Sequence, residues 1–349
     1  MLLTSNYVYP AEVTGYVREA MADMAVNRFT LGQYLPNEFV DDIEYRVAAG
    51  GTGLADAAAY RSYDAESPIG RRQTLRDIVG ELPPMSLKTR SSEYDRLRMR
   101  KVTDQRIRDE IFNDARKLTR DILARVELAR GQTLATGKTP IPELGTTIDW
   151  QRDAGHTVTA AALWNGAGTP DPLSDLMSWR DTYIATNGVE PGSLVVSRKV
   201  WNIMLRNQAV RNQLFPGVQQ PTVVTTANLN EMLAAQGLPP VTVYQAQVRV
   251  NGAAQYVLDQ NVALFLPAPV DNTTEDTGVD EDTQLGGVFW GTTAEAMDPR
   301  YGIDEADLPG LVAGEFTEED PAGLWTKVAS INLPVLANPN LSFAATVAS

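Results

Sequence analysis

His156 is the only histidine of the chain and cysteine is absent, which narrows the chemistry its side chains could carry. A Ser-His-Asp triad would have to use His156, in the context "DAGHTVTAAALWNG", yet no G-x-S-x-G nucleophile elbow occurs in the sequence. His156 therefore reads as a structural residue. One histidine without cysteine cannot supply the nitrogen and sulfur ligands of a zinc site, and disulfides and cysteine nucleophiles are excluded on the same count. Neither a dinucleotide-type G-x-G-x-x-G nor a phosphate-cradling G-x-x-x-x-G-K-[ST] is present, and "GGTG" at 50–53 is too short for either. Glu275, Asp276, Asp280, Glu281 and Asp282 offer the oxygen ligands that Ca²⁺ and Mg²⁺ prefer. They lack the D-x-[DN]-x-[DN]-G spacing and its distal Glu, so a solvated loop is the better reading. No catalytic residue, metal site or cofactor is expected.

Charge is the stronger signal. The formal net charge is −14, and an acidic chain is a poor general binder of nucleic acid, because neutralising phosphates needs a basic face. The charge is also unevenly placed. Residues 61–130 hold 17 Lys and Arg against 12 Asp and Glu, whereas 259–320 hold 16 acids and one base, Arg300. The basic run "KTRSSEYDRLRMRK" is interrupted by Glu93 and Asp95 and has Tyr94 as its only aromatic residue. A protein partner suits it better than stacked bases. The candidate contact residues are Arg71, Arg72, Arg98, Arg100 and Lys101 on the basic side and Asp280, Glu281 and Asp282 on the acidic side, weighed against a plain solvated acidic surface.

The elements that would position these residues fall in four stretches. Residues 1–42 read as an arm, with a helical pattern through Val17, Met21, Met24 and Phe29. Residues 43–102 read as an extended β-hairpin loop with adjoining strands, interrupted by "GGTG", "ESPIG" and "LPP". Residues 103–147 carry one long amphipathic helix. Ile107, Ile111, Ala115, Leu118, Ile122, Val126 and Ala129 recur at spacings of three and four, with Thr103 or Asp104 to start it and Gly137 with Pro140 to end it. At 1.5 Å per residue such a helix spans roughly 50 Å. Residues 148–349 read as a compact α+β domain: a helix in "DPLSDLMSWRDTYIATNG", a buried strand "SLVVS", a second helix in "SRKVWNIMLRNQAVRNQL", and a hairpin at Asn251-Gly252. Its last 26 residues read as a closing hairpin, strand, tight turn and strand around Asn338-Pro339-Asn340, that returns to the sheet. No basic leader with an apolar core opens the chain and no eighteen apolar residues run together, so folding in a reducing cytoplasm, with no membrane span, is expected.

The segments "TGKTPI", "DPLSDLMSWRDTYIATNGVEPGSLVVSRKVWNIMLRNQAVRNQL" and "DPAGLWTKVASINLPVLANPNLSFAATV" resemble the major capsid proteins of tailed bacteriophages, in particular the lambda-like head protein E family. The resemblance implies the Hong Kong 97-type capsid fold: N-terminal arm, extended loop, peripheral domain with a spine helix, and axial domain, with part of the acidic 259–325 region returning to the peripheral domain. It implies a shell of pentamers and hexamers around double-stranded DNA held without sequence-specific binding. A separate scaffold protein, a portal and a decoration or cementing protein are the implied partners, and the virion is the implied location. An encapsulin-like compartment shell of the same fold is the nearest alternative. A cytoplasmic α+β enzyme with a carboxylate-metal site is the alternative from another class.

Overall fold

The computed structural model describes residues 7–27, 29–49, 60–63, 66, 76–92, 94, 104–217, 221–270, 284–304, 307–319 and 322–349. The chain divides into two compact units: residues 1–46, 79–130 and 287–335 form one, and 47–78, 131–286 and 336–349 the other. Helices accompany sheets whose strands pair mainly antiparallel, the content of an α+β chain.

The long helix runs Asp104–Thr136. Every residue of the expected stripe, Ile107, Ile111, Ala115, Leu118, Ile122, Val126 and Ala129, is buried. Each large aliphatic side chain among them contributes roughly 1.5–3 kcal/mol through burial. The stripe is one-sided as far as Leu118 and widens beyond it, so that residues 126–131 are buried all round. Gly137 ends the helix at φ 68°, a left-handed conformation that favours glycine, and donates its N–H to the Thr133 carbonyl at 2.8 Å.

In the first unit the sheet is organised on one strand, Ala322–Leu336. Val312–Glu319 pairs with it antiparallel, placing Phe316 opposite Trp325, and Pro84–Ser92 also pairs antiparallel, placing Arg90 opposite Trp325. Gly286–Gly291 joins the same strand and pairs in parallel with Asn37–Phe39. The N-terminal helix Pro10–Asn27 seals the outer edge of Val312–Glu319. Its Thr14 hydroxyl donates to the Ala313 carbonyl (2.9 Å) and accepts from the Ala313 N–H (3.1 Å), and Arg18 donates to the carbonyls of Leu311 and Pro309. Groups that an edge strand would leave unpaired are satisfied by the chain itself.

The second unit holds a sheet in the order Thr157–Thr159, Phe343–Thr346, Val262–Leu266, Ser193–Val196, Val241–Val243. Ser193–Val196 and Val262–Leu266 are buried at every position, the pattern of strands covered on both faces. The helix Pro172–Asn187 starts at Asp171, whose carboxylate accepts from the N–H groups of Leu173 and Ser174, and stops at Gly188 with φ 71°. Gln247–Val250 and Ala253–Tyr256 form the expected hairpin, with Asn251 and Gly252 both at positive φ.

Two sequence expectations meet a different outcome. The stretch 198–214 is two helices, Arg198–Arg206 and Gln208–Leu214, because Asn207 takes an extended conformation and its side chain caps the second from Ala209 and Val210 N–H. The two closing strands do not form a hairpin with each other: Ala322–Leu336 belongs to the first unit's sheet, and Phe343–Thr346 pairs with Val262–Leu266. Alternation shows that a face is buried but does not name the partner strand. Within 43–102, Glu44–Ala49 pairs with Arg76–Glu81, while Pro84–Ser92 leaves for the five-stranded sheet. Most of the far part of the expected loop lies outside the described residues.

Phe343 is fully buried, beside Phe265 and His156. Phe343→Ala should therefore cost about 3–5 kcal/mol, read as a lower denaturation midpoint in urea. An unchanged midpoint would show that this strand is not part of the core.

Candidate functional site

His156 lies in the second unit with 1% of its surface exposed, its ring 5.3 Å from that of Phe343 and 6.0 Å from that of Tyr183. Burial lowers its pKa from the usual value, opposed by the Ser342 backbone and by Asp153. It packs as a core ring. Nearby, the Arg152 guanidinium donates to the Leu134 and Ala135 carbonyls at 2.8 Å each. A cation there answers the unpaired carbonyls at the end of the long helix. Burial pushes the Arg152 pKa down to about 10, which leaves it charged at neutral pH.

In the first unit, a polar cluster is buried beside the long helix. Glu127 is 0% exposed; its carboxylate accepts from the Leu31 N–H (3.0 Å) and from Arg130 (3.2 Å). Arg130 also donates to the Asn37 side-chain oxygen at 2.6 Å, which accepts a second bond from the Trp290 indole at 2.9 Å. Two charges three residues apart on the helix thus fix the segment that leads into the strand Asn37–Phe39. A buried ion pair is no strong source of stability by itself, but removal of one partner leaves the other charge uncompensated.

The outer side of the first unit's sheet carries a different group. Register places Arg90, Trp325 and Phe316 across three adjacent strands. The Phe316 and Trp325 rings stack 6.2 Å apart, the Lys88 ammonium sits 4.1 Å from the Trp325 ring centre, and the Arg90 guanidinium 5.7 Å from it. Cation–π contacts of this kind contribute about 0.5–1 kcal/mol at exposed sites. Lys327 pairs with Glu295. Burial alone would raise the Glu295 carboxyl, but hydrogen bonds from Lys327, the Glu295 backbone and Thr293, together with the Lys327 charge, outweigh it and hold the pKa below the ordinary value. A groove of about 870 Å³ opens beside these residues, lined by Tyr9, Leu87, Lys88, Arg300, Tyr301 and Phe316 among others.

The sequence-derived contact residues Arg71, Arg72, Arg98, Arg100, Lys101, Asp280, Glu281 and Asp282 all lie outside the described residues. Of the basic run, Lys88 and Arg90 are described, and both stand on the aromatic pair. That pair escapes sequence reading because Phe316 and Trp325 meet Lys88 and Arg90 only through strand pairing between distant segments. Among the described residues no three His, Asp or Glu side chains gather as a metal site, and no helix is long and apolar enough to cross a membrane.

The sequence profile of phage major capsid protein E matches residues 49–347. Among solved structures, a protein assigned as a prophage capsid protein in E. coli CFT073 superposes with a TM-score of 0.62 at 16% identity, covering 98% of this chain and 99% of that one. A phage-related protein from Bordetella bronchiseptica RB50 superposes with a TM-score of 0.60 at 13% identity, covering 99% of this chain and 98% of that one. At these identities the likeness is one of fold. No curated protein matches the sequence.

Two outcomes follow from the buried groups. Glu127→Ala should destabilise by about 3–5 kcal/mol, and the paired change Glu127→Leu with Arg130→Met should recover part of it; equal losses in both would mean that the cluster acts through packing alone. Because the folded pKa of His156 is depressed, the unfolded chain binds the extra proton first as pH falls through about 6.5, and stability drops with it. The stability of wild type relative to His156→Phe should therefore decline from pH 7 toward pH 5. A difference that stays constant with pH would contradict a buried neutral ring.

Proposed function

The chain belongs to the phage major capsid protein E family and is a capsid shell protein, and from that premise we propose how it builds the shell. The observation that carries the reading is the family match over residues 49–347, which runs through both units. Identical copies associate head to tail into pentamers and hexamers, since a heterologous contact closes into a ring when its rotation allows. These tile an icosahedral shell enclosing double-stranded DNA without reading its sequence. The first unit, with most of the long helix and the sheet built on Ala322–Leu336, serves as the peripheral domain; the second, with its buried mixed sheet, serves as the axial domain. The role is structural rather than catalytic. Folding and assembly take place in the host bacterial cytoplasm with a separate scaffold protein, and the finished shell carries a portal and a decoration protein.

The uneven charge gives assembly a direction. The basic residues Arg71, Arg72, Arg98, Arg100 and Lys101 of one copy face Asp280, Glu281 and Asp282 of the next. A single exposed pair contributes only about 0–1 kcal/mol, but the contact repeats at every boundary, so its sum shifts the concentration at which shells form. Salt that screens beyond roughly 8–10 Å weakens it.

Light scattering and sedimentation of the full chain with its scaffold provide the test. Wild type should form large particles, more slowly as salt rises. Arg71→Glu with Arg72→Glu should slow assembly at unchanged subunit melting temperature, and added Asp280→Lys, Glu281→Lys and Asp282→Lys should restore part of the rate. Assembly at the wild-type rate and salt dependence by the doubly reversed chain would remove these charges from the interface.

A further inference from the structure

We infer that Asn251 is a site of spontaneous covalent modification, at which the chain converts its own asparagine to aspartate and isoaspartate through a cyclic imide. The inference stands apart from the shell reading, because it follows from local geometry. Asn-Gly occurs three times in the sequence, at 165–166, 187–188 and 251–252. In such a pair the glycine nitrogen is the nucleophile, and glycine has no Cβ to shield it. The nitrogen gives its proton to solvent base and bonds to the asparagine Cγ, closing a ring. The bond from Cγ to the side-chain nitrogen breaks, and ammonia leaves with a proton taken from water. Water then opens the ring at either carbonyl, which yields aspartate, or isoaspartate with the main chain routed through the former side chain. The net change is loss of ammonia and gain of water, with no oxidant or reductant.

Hydrogen bonding separates the three pairs. At Asn165-Gly166 the Gly166 N–H donates to the Leu163 carbonyl at 2.8 Å, and the Asn165 amide donates to the Ser349 oxygen at 3.1 Å. At Asn187-Gly188 the Gly188 N–H donates to the Ile184 carbonyl at 2.8 Å, and the buried Asn187 amide donates to the Asn340 carbonyl at 2.9 Å. Nucleophile and leaving group are both held in place in these two pairs. At Asn251-Gly252, among the described residues, neither the Gly252 N–H nor the Asn251 side chain has a partner. Both residues are exposed, and a carbon added at Gly252 would meet nothing within 4 Å, so base and water reach the turn from solvent. The hairpin Gln247–Val250 with Ala253–Tyr256 is a sheet of two strands among the described residues. A hairpin of that size is marginal by itself, and its opening supplies the backbone rotation that ring closure requires. Isoaspartate lengthens the main chain of a two-residue turn that sets the register of Val250 opposite Ala253. Either product adds a negative charge to a chain already at −14.

Peptide mapping by mass spectrometry, after the full chain has been held at mildly alkaline pH in water enriched in heavy oxygen, tests the inference. The Asn251 peptide should split into aspartate and isoaspartate forms that carry the heavy oxygen. The Asn165 and Asn187 peptides should convert about tenfold more slowly or less, since a bonded amide reacts only through opening. In concentrated urea, where the fold no longer selects, the three should convert at similar rates. Asn251→Gln should lack the acidic form that accumulates in wild type on isoelectric focusing. An Asn251 that stays intact in the folded chain, or that converts no faster than Asn165 and Asn187, would overturn the inference. A ranking that persists unchanged in urea would overturn the role given to hydrogen bonding, because the neighbouring sequence would then be the cause.

Discussion

The strand Ala322–Leu336 must be hydrogen-bonded along both of its edges, and the first unit is arranged around that requirement. Its buried residues Leu324, Val328 and Leu333 take the backbone out of water, where an unpaired N–H or C=O costs about 1–3 kcal/mol. Partners therefore have to come from elsewhere in the sequence, and they come from 84–92, 286–291 and 312–319. The same pairing brings Lys88 and Arg90 onto the Trp325 ring. The unit's core and the aromatic and cationic group on its sheet face thus depend on one strand.

The charged groups divide by burial, and burial decides what each can do. Glu127 and Arg130 are enclosed and bonded to each other, with Leu31 and Asn37 as their further partners. They specify which segment packs against the long helix rather than supplying much net free energy. Arg152 likewise serves one set of helix carbonyls. Exposed pairs such as Arg108 with Glu12 are individually weak and screened by salt. Only repetition across many identical boundaries gives such charges weight, which is the circumstance a shell protein provides.

Local signals were the legible part of the sequence. The seven-residue stripe of the long helix, the Asp171 and Gly188 boundaries of Pro172–Asn187, and the Asn251-Gly252 turn all depend on neighbours within a few residues. Asn207 was less legible, because an Asn within a helical pattern can sit in the helix or cap the next one, and only packing decides. The closing strands were misjoined because Ala322–Leu336 and Phe343–Thr346 alternate well enough to pair with each other, yet each finds a better-buried neighbour elsewhere. The aromatic and cationic group on the outer sheet face depended wholly on register between distant strands. The basic and acidic contact candidates were read from composition and lie outside the described residues.

Electron microscopy of the full chain, expressed with the scaffold protein proposed above, tests the central claim most directly, because it reports the closed product itself. The account expects hollow particles of uniform diameter whose walls resolve into rings of five and six subunits. A field of small separate particles at every concentration and salt would contradict it.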